Sequence, residues 1–389
     1  MRIALVHSFY AGDSSSGENV VVSSQLEALS RAGHDVLLLG RHTDRESSRR
    51  LYPIRAAYQT ATGAGPDPTL RLARFDPQVV HIHNTVPNIG TDWLASWPTP
   101  VVHTLHNFRP ICANGLLFRD GRVCTDCPEG RPWSAIEHAC YRDSRLATLP
   151  VAVRNARGLT SNVLLTRADR LIALSDFAAD TFRQFGLPGA RLVTVPNGVS
   201  GGVVSTEPPP GRPRWLAVGR LRAEKGFAEL LRGWPGGHRL DIVGDGPQRA
   251  ELGRLAGPEV RLRGALPAHQ LRQEMPGYSG LVFAGLCPEA AAPLVVVEAL
   301  AAGLPVLMTR TSPHAGPFVA AEVARTVSAD SPKITAEPQL ATDDLLAGMA
   351  WADSGGATLR HRCRTWFDRN FTEELWVRRL EEVYHDCGA

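Results

Sequence analysis

Arg220 and Lys225 share one short stretch, Val218-Gly219-Arg220-Leu221-Arg222-Ala223-Glu224-Lys225-Gly226. An apolar run ends at Gly219 and a helical pattern begins at Gly226, so both cations project from a loop at the carboxyl end of a strand. Two cations beside a helix N-terminus can bind a diphosphate and stabilise the charge of a phosphate leaving group. An arbitrary pair of cations is more often a solvated basic loop. Lys is scarce in this chain, however, occurring only at 225 and 333. Val243-Gly244-Asp245-Gly246-Pro247 is a tight strand-to-helix turn that lets backbone approach a ligand, although such turns are common in α/β folds.

A third motif runs from Pro288-Glu289 to Glu298-Ala299-Leu300-Ala301-Ala302-Gly303-Leu304-Pro305-Val306. Pro293 opens a helix at Leu294, and Glu298 lies about one turn in. Apolar residues flank Glu298 on both sides, which predicts a buried helix where an unpaired carboxylate would be costly. There it can take two hydroxyls of a ribose, while the amides of Leu294 and Val295 at the helix start face a phosphate.

Seven cysteines, an odd number, stand in a chain whose short N-terminal apolar run does not read as an export signal. That argues against a disulfide framework. Four of them, Cys112, Cys124, Cys127 and Cys140, occupy one turn-rich stretch, and Cys124-Thr125-Asp126-Cys127 has the two-residue spacer of half a structural zinc site. The expectation is a four-cysteine zinc knot, with His138 able to replace Cys140. The competing reading is a set of reduced or partly disulfide-linked thiols.

The elements that must position these residues follow from periodicity. Strands are predicted at Arg2 to His7, Asp35 to Gly40, Val79 to His83, Pro100 to Leu105, Arg170 to Ser175 and Arg191 to Pro196. After a Gly/Ser/Pro-rich break over 199–214 they resume at Trp215 to Gly219, Leu240 to Gly244, Val260 to Gly264, Gly280 to Ala284 and Val306 to Thr309. Strands alternating with helices imply an α/β fold of two doubly wound Rossmann-like domains, with ligands at the carboxyl ends of the strands and a cleft where the domains face each other. The expected domains are residues 1–200, with a Cys-rich insertion at about 107–145, then 201–365. A capped amphipathic helix from Thr372 to Tyr384, within 366–389, is expected to cross back to the first domain. His81 and His83 alternate with Ile82 and share one face of their strand.

Taken in order, Gly-Arg-Leu-x-x-Glu-Lys-Gly, Val-Gly-Asp-Gly and Glu…Glu-Ala-x-Ala-x-Gly-x-Pro-Val resemble the family-4 retaining glycosyltransferases of the GT-B fold. Ala168 to Ser175 and Val195-Pro196-Asn197-Gly198-Val199 are similar to that family's hinge-side motifs. The resemblance implies that Arg220 and Lys225 bind the donor diphosphate and Glu298 the ribose, with Gly219, Gly244, Leu294 and Val295 lining the donor site. It implies a sugar contact from an earlier Glu; here Ala290 holds the expected position and Glu289 stands one residue off, so either a loop bulge lets Glu289 reach the sugar, the favoured reading, or that contact is lost. It implies that His106, after the fourth strand, faces the transferring sugar. Gly17 matches the turn that lets the acceptor approach the diphosphate, with Glu18, Asn19, His83 and Asn107 as acceptor contacts.

The implied reaction is retention by front-face substitution, without a protein nucleophile. No Asp-x-Asp motif is present, which fits a metal-independent transfer needing no catalytic cofactor. The donor expected is a UDP- or other NDP-sugar. The acceptor expected is a small molecule, such as an aminoglycoside antibiotic, or a lipid-linked envelope glycan. An NDP-sugar epimerase on the same architecture and an inactive sugar-binding scaffold are the alternatives. An oxidoreductase is discounted, because Gly-x-Gly-x-x-Gly is missing after the first strand. A net charge of +3 gives no call for nucleic acid, and no run of apolar residues is long enough for a membrane helix, so a cytoplasmic protein with at most peripheral membrane contact is expected. The preference for Arg and the many Ala, Gly and Pro residues are those of a high-GC bacterial proteome such as an actinomycete's.

Overall fold

The apolar runs form strands buried on both faces. In β1, Arg2–Phe9, every residue after Arg2 is buried, the pattern of a strand inside a parallel sheet covered by helices. The computed structural model describes residues 1–10, 16–330 and 338–388. Contacts divide the chain into two units, one of 1–119, 124–198 and 373–389, the other of 120–123 and 199–372. The second unit thus runs to Thr372 rather than ending at residue 365.

The first unit carries β1, β2 (Asp35–His42), β3 (Val79–Asn84), β4 (Val101–Leu105), β5 (Arg170–Ala173) and β6 (Leu192–Thr194). All pair in parallel in the order β2-β1-β3-β4-β5-β6. The second carries β7 (Arg214–Val218), β8 (Arg239–Val243), β9 (Val260–Gly264), β10 (Gly280–Phe283), β11 (Val306–Thr309) and β12 (Ala324–Val327). These are again parallel, in the order β9-β8-β7-β10-β11-β12. Strand β12 was not expected: Arg325 and Thr326 interrupt its apolar pattern because an edge strand is only half covered.

Strand order reverses beside β1 in the first sheet and beside β7 in the second. A crevice opens at such a point because the helices after the two neighbouring strands leave toward opposite faces. The chain over 199–213 has no regular element.

Helix α1, Gly17–Arg31, starts after β1 with Ser16 as its cap, the Ser16 hydroxyl accepting from the Asn19 amide at 3.4 Å. The terminal helix α2, Glu373–His385, packs in the first unit. Its buried Tyr384 hydroxyl lies 2.8 Å from His81 Nδ1 and 3.2 Å from Gln25 Nε2, and Glu373 pairs with Arg31. In the second unit the long helical stretch Thr342–Asn370 bends at Gly356, and its buried Arg360 donates to the carbonyls of Ser205, Pro276 and Tyr278.

Candidate functional site

In the second unit the three sequence motifs converge at the carboxyl ends of β7, β8 and β10. The Gly219 amide donates to Val243 O at 3.0 Å, Leu221 to Asp245 O at 2.9 Å, and Leu286 to Glu224 O at 3.0 Å. These bonds sew the three loops together. The sewing requires glycine at two positions. A Cβ on Gly244 would lie 1.9 Å from Gly219 O, and one on Gly226, whose φ is +67°, would lie 2.0 Å from Ala284 O.

That lock sets Lys225 against the loop after β10, where its ammonium forms an ion pair with Glu289. Burial opposes the charge on Lys225, but Glu289 and then Cys287 outweigh it and hold its pKa above the ordinary value. The Glu289 carbonyl accepts from His314 Nε2 at 2.8 Å. Glu289 therefore belongs to the Lys225 cluster, while Ala290 beside it is buried. Arg220 projects from the same loop and is exposed.

Glu298 lies within the helix Leu294–Ala301, which Pro293 caps. Its carboxylate meets Arg272 at 3.2 Å. Burial pushes its pKa up and Arg272 pulls it back. A half-buried carboxylate with one partner keeps acceptor capacity for a pair of hydroxyls. Leu294 and Val295 at the helix start are half-buried. Arg272, from the helix Ala268–Glu274, was missed by sequence reasoning: nothing in that helix marks it as the partner of Glu298.

In the first unit a cavity of about 960 Å³, including its open mouth, lies where β3 and β4 end, beside the first turn of α1. Glu18, His83, His106 and Asn107 line it. Asn19 does not: its side-chain oxygen sits 3.1 Å from His7 Nε2 and accepts from the Tyr10 amide at 3.3 Å, so it ties α1 to β1. Gly17 is exposed at the first position of α1, and Ser14 and Ser15 of the same turn lie outside the described residues.

His83 Nδ1 and His106 Nε2 share a hydrogen bond of 2.8 Å, and His83 Nε2 is buried with no partner among the described residues. The His81 and His83 rings stack at 4.4 Å, as expected for one strand face. Burial first, then neighbouring histidines, holds both His83 and His106 well below the usual imidazole value. His106 is thus neutral at pH 7, a hydrogen-bonding group rather than a cation. His103 is packed, with Nδ1 donating to Ile82 O at 2.9 Å.

Arg109, Arg154 and Arg157 also line this cavity, and sequence reasoning missed all three. No motif contains them. Only the position of Arg109, shortly after His106-Asn107, hinted at the site.

The four cysteines of the expected knot lie near enough to one another that, besides burial, Cys112, Cys140 and Cys124 all help to raise the Cys127 thiol. Among the described residues no group of three or more His, Cys, Asp or Glu is placed to hold a metal ion. All four thiols are free, and Cys112 donates to Asn114 Oδ1 at 3.0 Å. Cys127 and Cys140 pack against Ala113, Ala135 and Val151 as small apolar groups, and burial pushes the Cys127 thiol up to about 11.

Two doubly wound domains with carboxyl-end sites of this kind define a GT-B-type glycosyltransferase. A family model described as Glycosyltransferase Family 4 matches residues 15–200, and one described as Glycosyl transferases group 1 matches residues 212–337. The chain belongs to the family-4 glycosyltransferases. No curated protein matches it. Among solved structures it is similar to sucrose-phosphate synthase from Thermosynechococcus elongatus, at 18% identity and TM-score 0.65 over 99% of this chain and 98% of that one. It is also similar to HepE from Anabaena solved with UDP, at 14% identity and TM-score 0.60 over 99% and 100%. A third is the lipopolysaccharide outer core galactosyltransferase WaaB, at 15% identity and TM-score 0.57 over 99% of each chain. At these identities the likeness is one of fold.

Proposed function

We propose that this protein transfers a sugar from a UDP-sugar to an acceptor hydroxyl with retention at the anomeric carbon. The observation that carries the reading is the set formed by Arg220 and Lys225 on one loop and Glu298 on the helix Leu294–Ala301, where the second sheet reverses its strand order. The choice of UDP is supported by HepE, which has been solved with UDP and with UDP-glucose.

In this reading Glu298 accepts the ribose hydroxyls. Arg220 and Lys225 take the diphosphate, and Glu289 orients Lys225. The bond from C1 to the diphosphate oxygen breaks as the acceptor oxygen bonds to C1 on the same face. The acceptor proton passes to the departing diphosphate. No side chain attacks, so catalysis consists of positioning and of stabilising the leaving charge. The two cations do the work of a bridging metal ion, which fits the missing Asp-x-Asp motif. Neutral His106, oriented by His83, is assigned to the transferring sugar, and the cavity of the first unit to the acceptor.

A thermal-shift screen against UDP-, GDP- and dTDP-sugars tests the donor site. The expected result is a UDP-specific shift that Lys225→Ala removes; no shift with any nucleotide would sink the reading. Release of UDP only when acceptor is present separates transfer from epimerisation. Proton NMR of the product reads the anomeric configuration, and inversion would overturn the front-face mechanism.

A further inference from the structure

Three guanidiniums line the acceptor cavity; Arg157 is exposed and donates to the Ala61 carbonyl, and neutral groups also hold the other two. Arg109 donates to the Tyr10 hydroxyl at 2.6 Å, and its Nε is buried with no hydrogen-bond partner among the described residues. Arg154 donates to Asn155 Oδ1 at 3.4 Å and to the Arg109 carbonyl at 3.0 Å. The second bond ties the Arg154 side chain to the backbone of Arg109. Burial, then the charge of Arg109, pulls Arg154 down to about 10, whereas an arginine with a carboxylate partner is held up.

Glu18 is the acid that Arg109 feels. Its carboxyl is pushed up to about 7 by burial, against the pull of Arg109 and Tyr10. One half-protonated carboxyl cannot neutralise two guanidiniums, so the cavity keeps a net positive charge near pH 7. Holding like charges together away from water is costly unless something offsets them.

We propose that Arg109 and Arg154 form an anion subsite, and that the acceptor carries a carboxylate or a phosphate ester that docks between them. This rests on assigning the first unit's cavity to the acceptor. A guanidinium pair suits planar or tetrahedral oxyanions, because each fork offers parallel N–H donors. The neighbouring His106 and Asn107 offer neutral hydrogen bonds suited to sugar hydroxyls. A polycationic aminoglycoside would meet two like charges here. The subsite therefore selects an acidic sugar or a sugar phosphate over that class.

Calorimetric titration of the full chain with glucuronate, glucose 6-phosphate and glucose tests the subsite, with UDP titrated in parallel. Wild type is expected to bind at least one anionic sugar roughly tenfold more tightly than glucose. The anion that responds identifies the source as carboxylate or phosphate. Arg154→Met is expected to erase that preference while leaving UDP affinity unchanged. Should that variant fold poorly, Arg154→Lys keeps the charge without the fork and should retain only part of the preference. Equal binding of the three sugars, no binding of either anion, or an undiminished preference in the variant that folds would overturn the proposal. Wild type that selects anions yet does not bind UDP would refute the donor reading alone.

Discussion

At the scale of single residues, the donor site is a set of charges whose partners decide their role. Glu298 has one cation beside it, Arg272, and spare acceptor lone pairs. Glu298→Ala should weaken UDP about tenfold, ~1.4 kcal/mol, because a charged hydrogen bond to ribose is lost. It should also abolish any preference for UDP over 2′-deoxy-UDP, which competition calorimetry reads directly. Arg220, Lys225 and Glu298 were singled out in sequence because each stands in a motif of fixed spacing. Arg272, Arg109 and Arg154 were not, because each reaches its site from an element whose own pattern says nothing of it. Asn19 shows the converse: an exposed-looking polar residue is used internally, on His7 and Tyr10.

Among elements, the three loops of the second unit act as one because backbone bonds join them. Gly226→Ala would put a side chain at positive φ and against Ala284 O. The strain should cost at least ~1–2 kcal/mol and lower Tm by several degrees. UDP binding should fall with it, since Lys225 precedes the altered residue. In the first unit the terminal helix is tied to the sheet by the Tyr384 hydroxyl. Tyr384→Phe leaves His81 and Gln25 short of a buried partner, and urea denaturation should show a loss of about 1–3 kcal/mol. Eleven of the twelve strands in the two six-stranded sheets were legible as apolar runs between turn signals. The twelfth, β12, was hidden by its half-exposed edge position.

For the molecule as a whole, the buried histidines set the acid limit of stability. Burial holds His7 and His103 at about 4 and His81 at about 3, with His83 and His106 also well below 6.5. Below pH 6.5 the unfolded chain binds protons that the folded one refuses, so stability falls as pH drops toward 4. Each histidine contributes up to about 1.4 kcal/mol per pH unit over that window. Glu18, raised to about 7, has the opposite sign and favours the fold on acidification, as do the raised Glu298 and Asp353, but these three do not offset the five histidines. Denaturant midpoints should therefore fall steadily from pH 6.5 to 4.5, and His81→Asn should flatten the profile. A flat wild-type profile would contradict the buried network. Among the described residues no helix is long and apolar enough to cross a membrane.

Apolar periodicity by itself determined two parallel doubly wound sheets, because strands covered on both faces must be continuously apolar. Motif spacing by itself put Arg220 and Lys225 on one loop after a strand, because the turn that carries them is local. Tertiary structure alone decided that Glu289 pairs with Lys225 and that Arg109, Arg154 and Arg157 line one cavity of the first unit. Those outcomes depend on which distant segments meet, and no local pattern encodes such meetings.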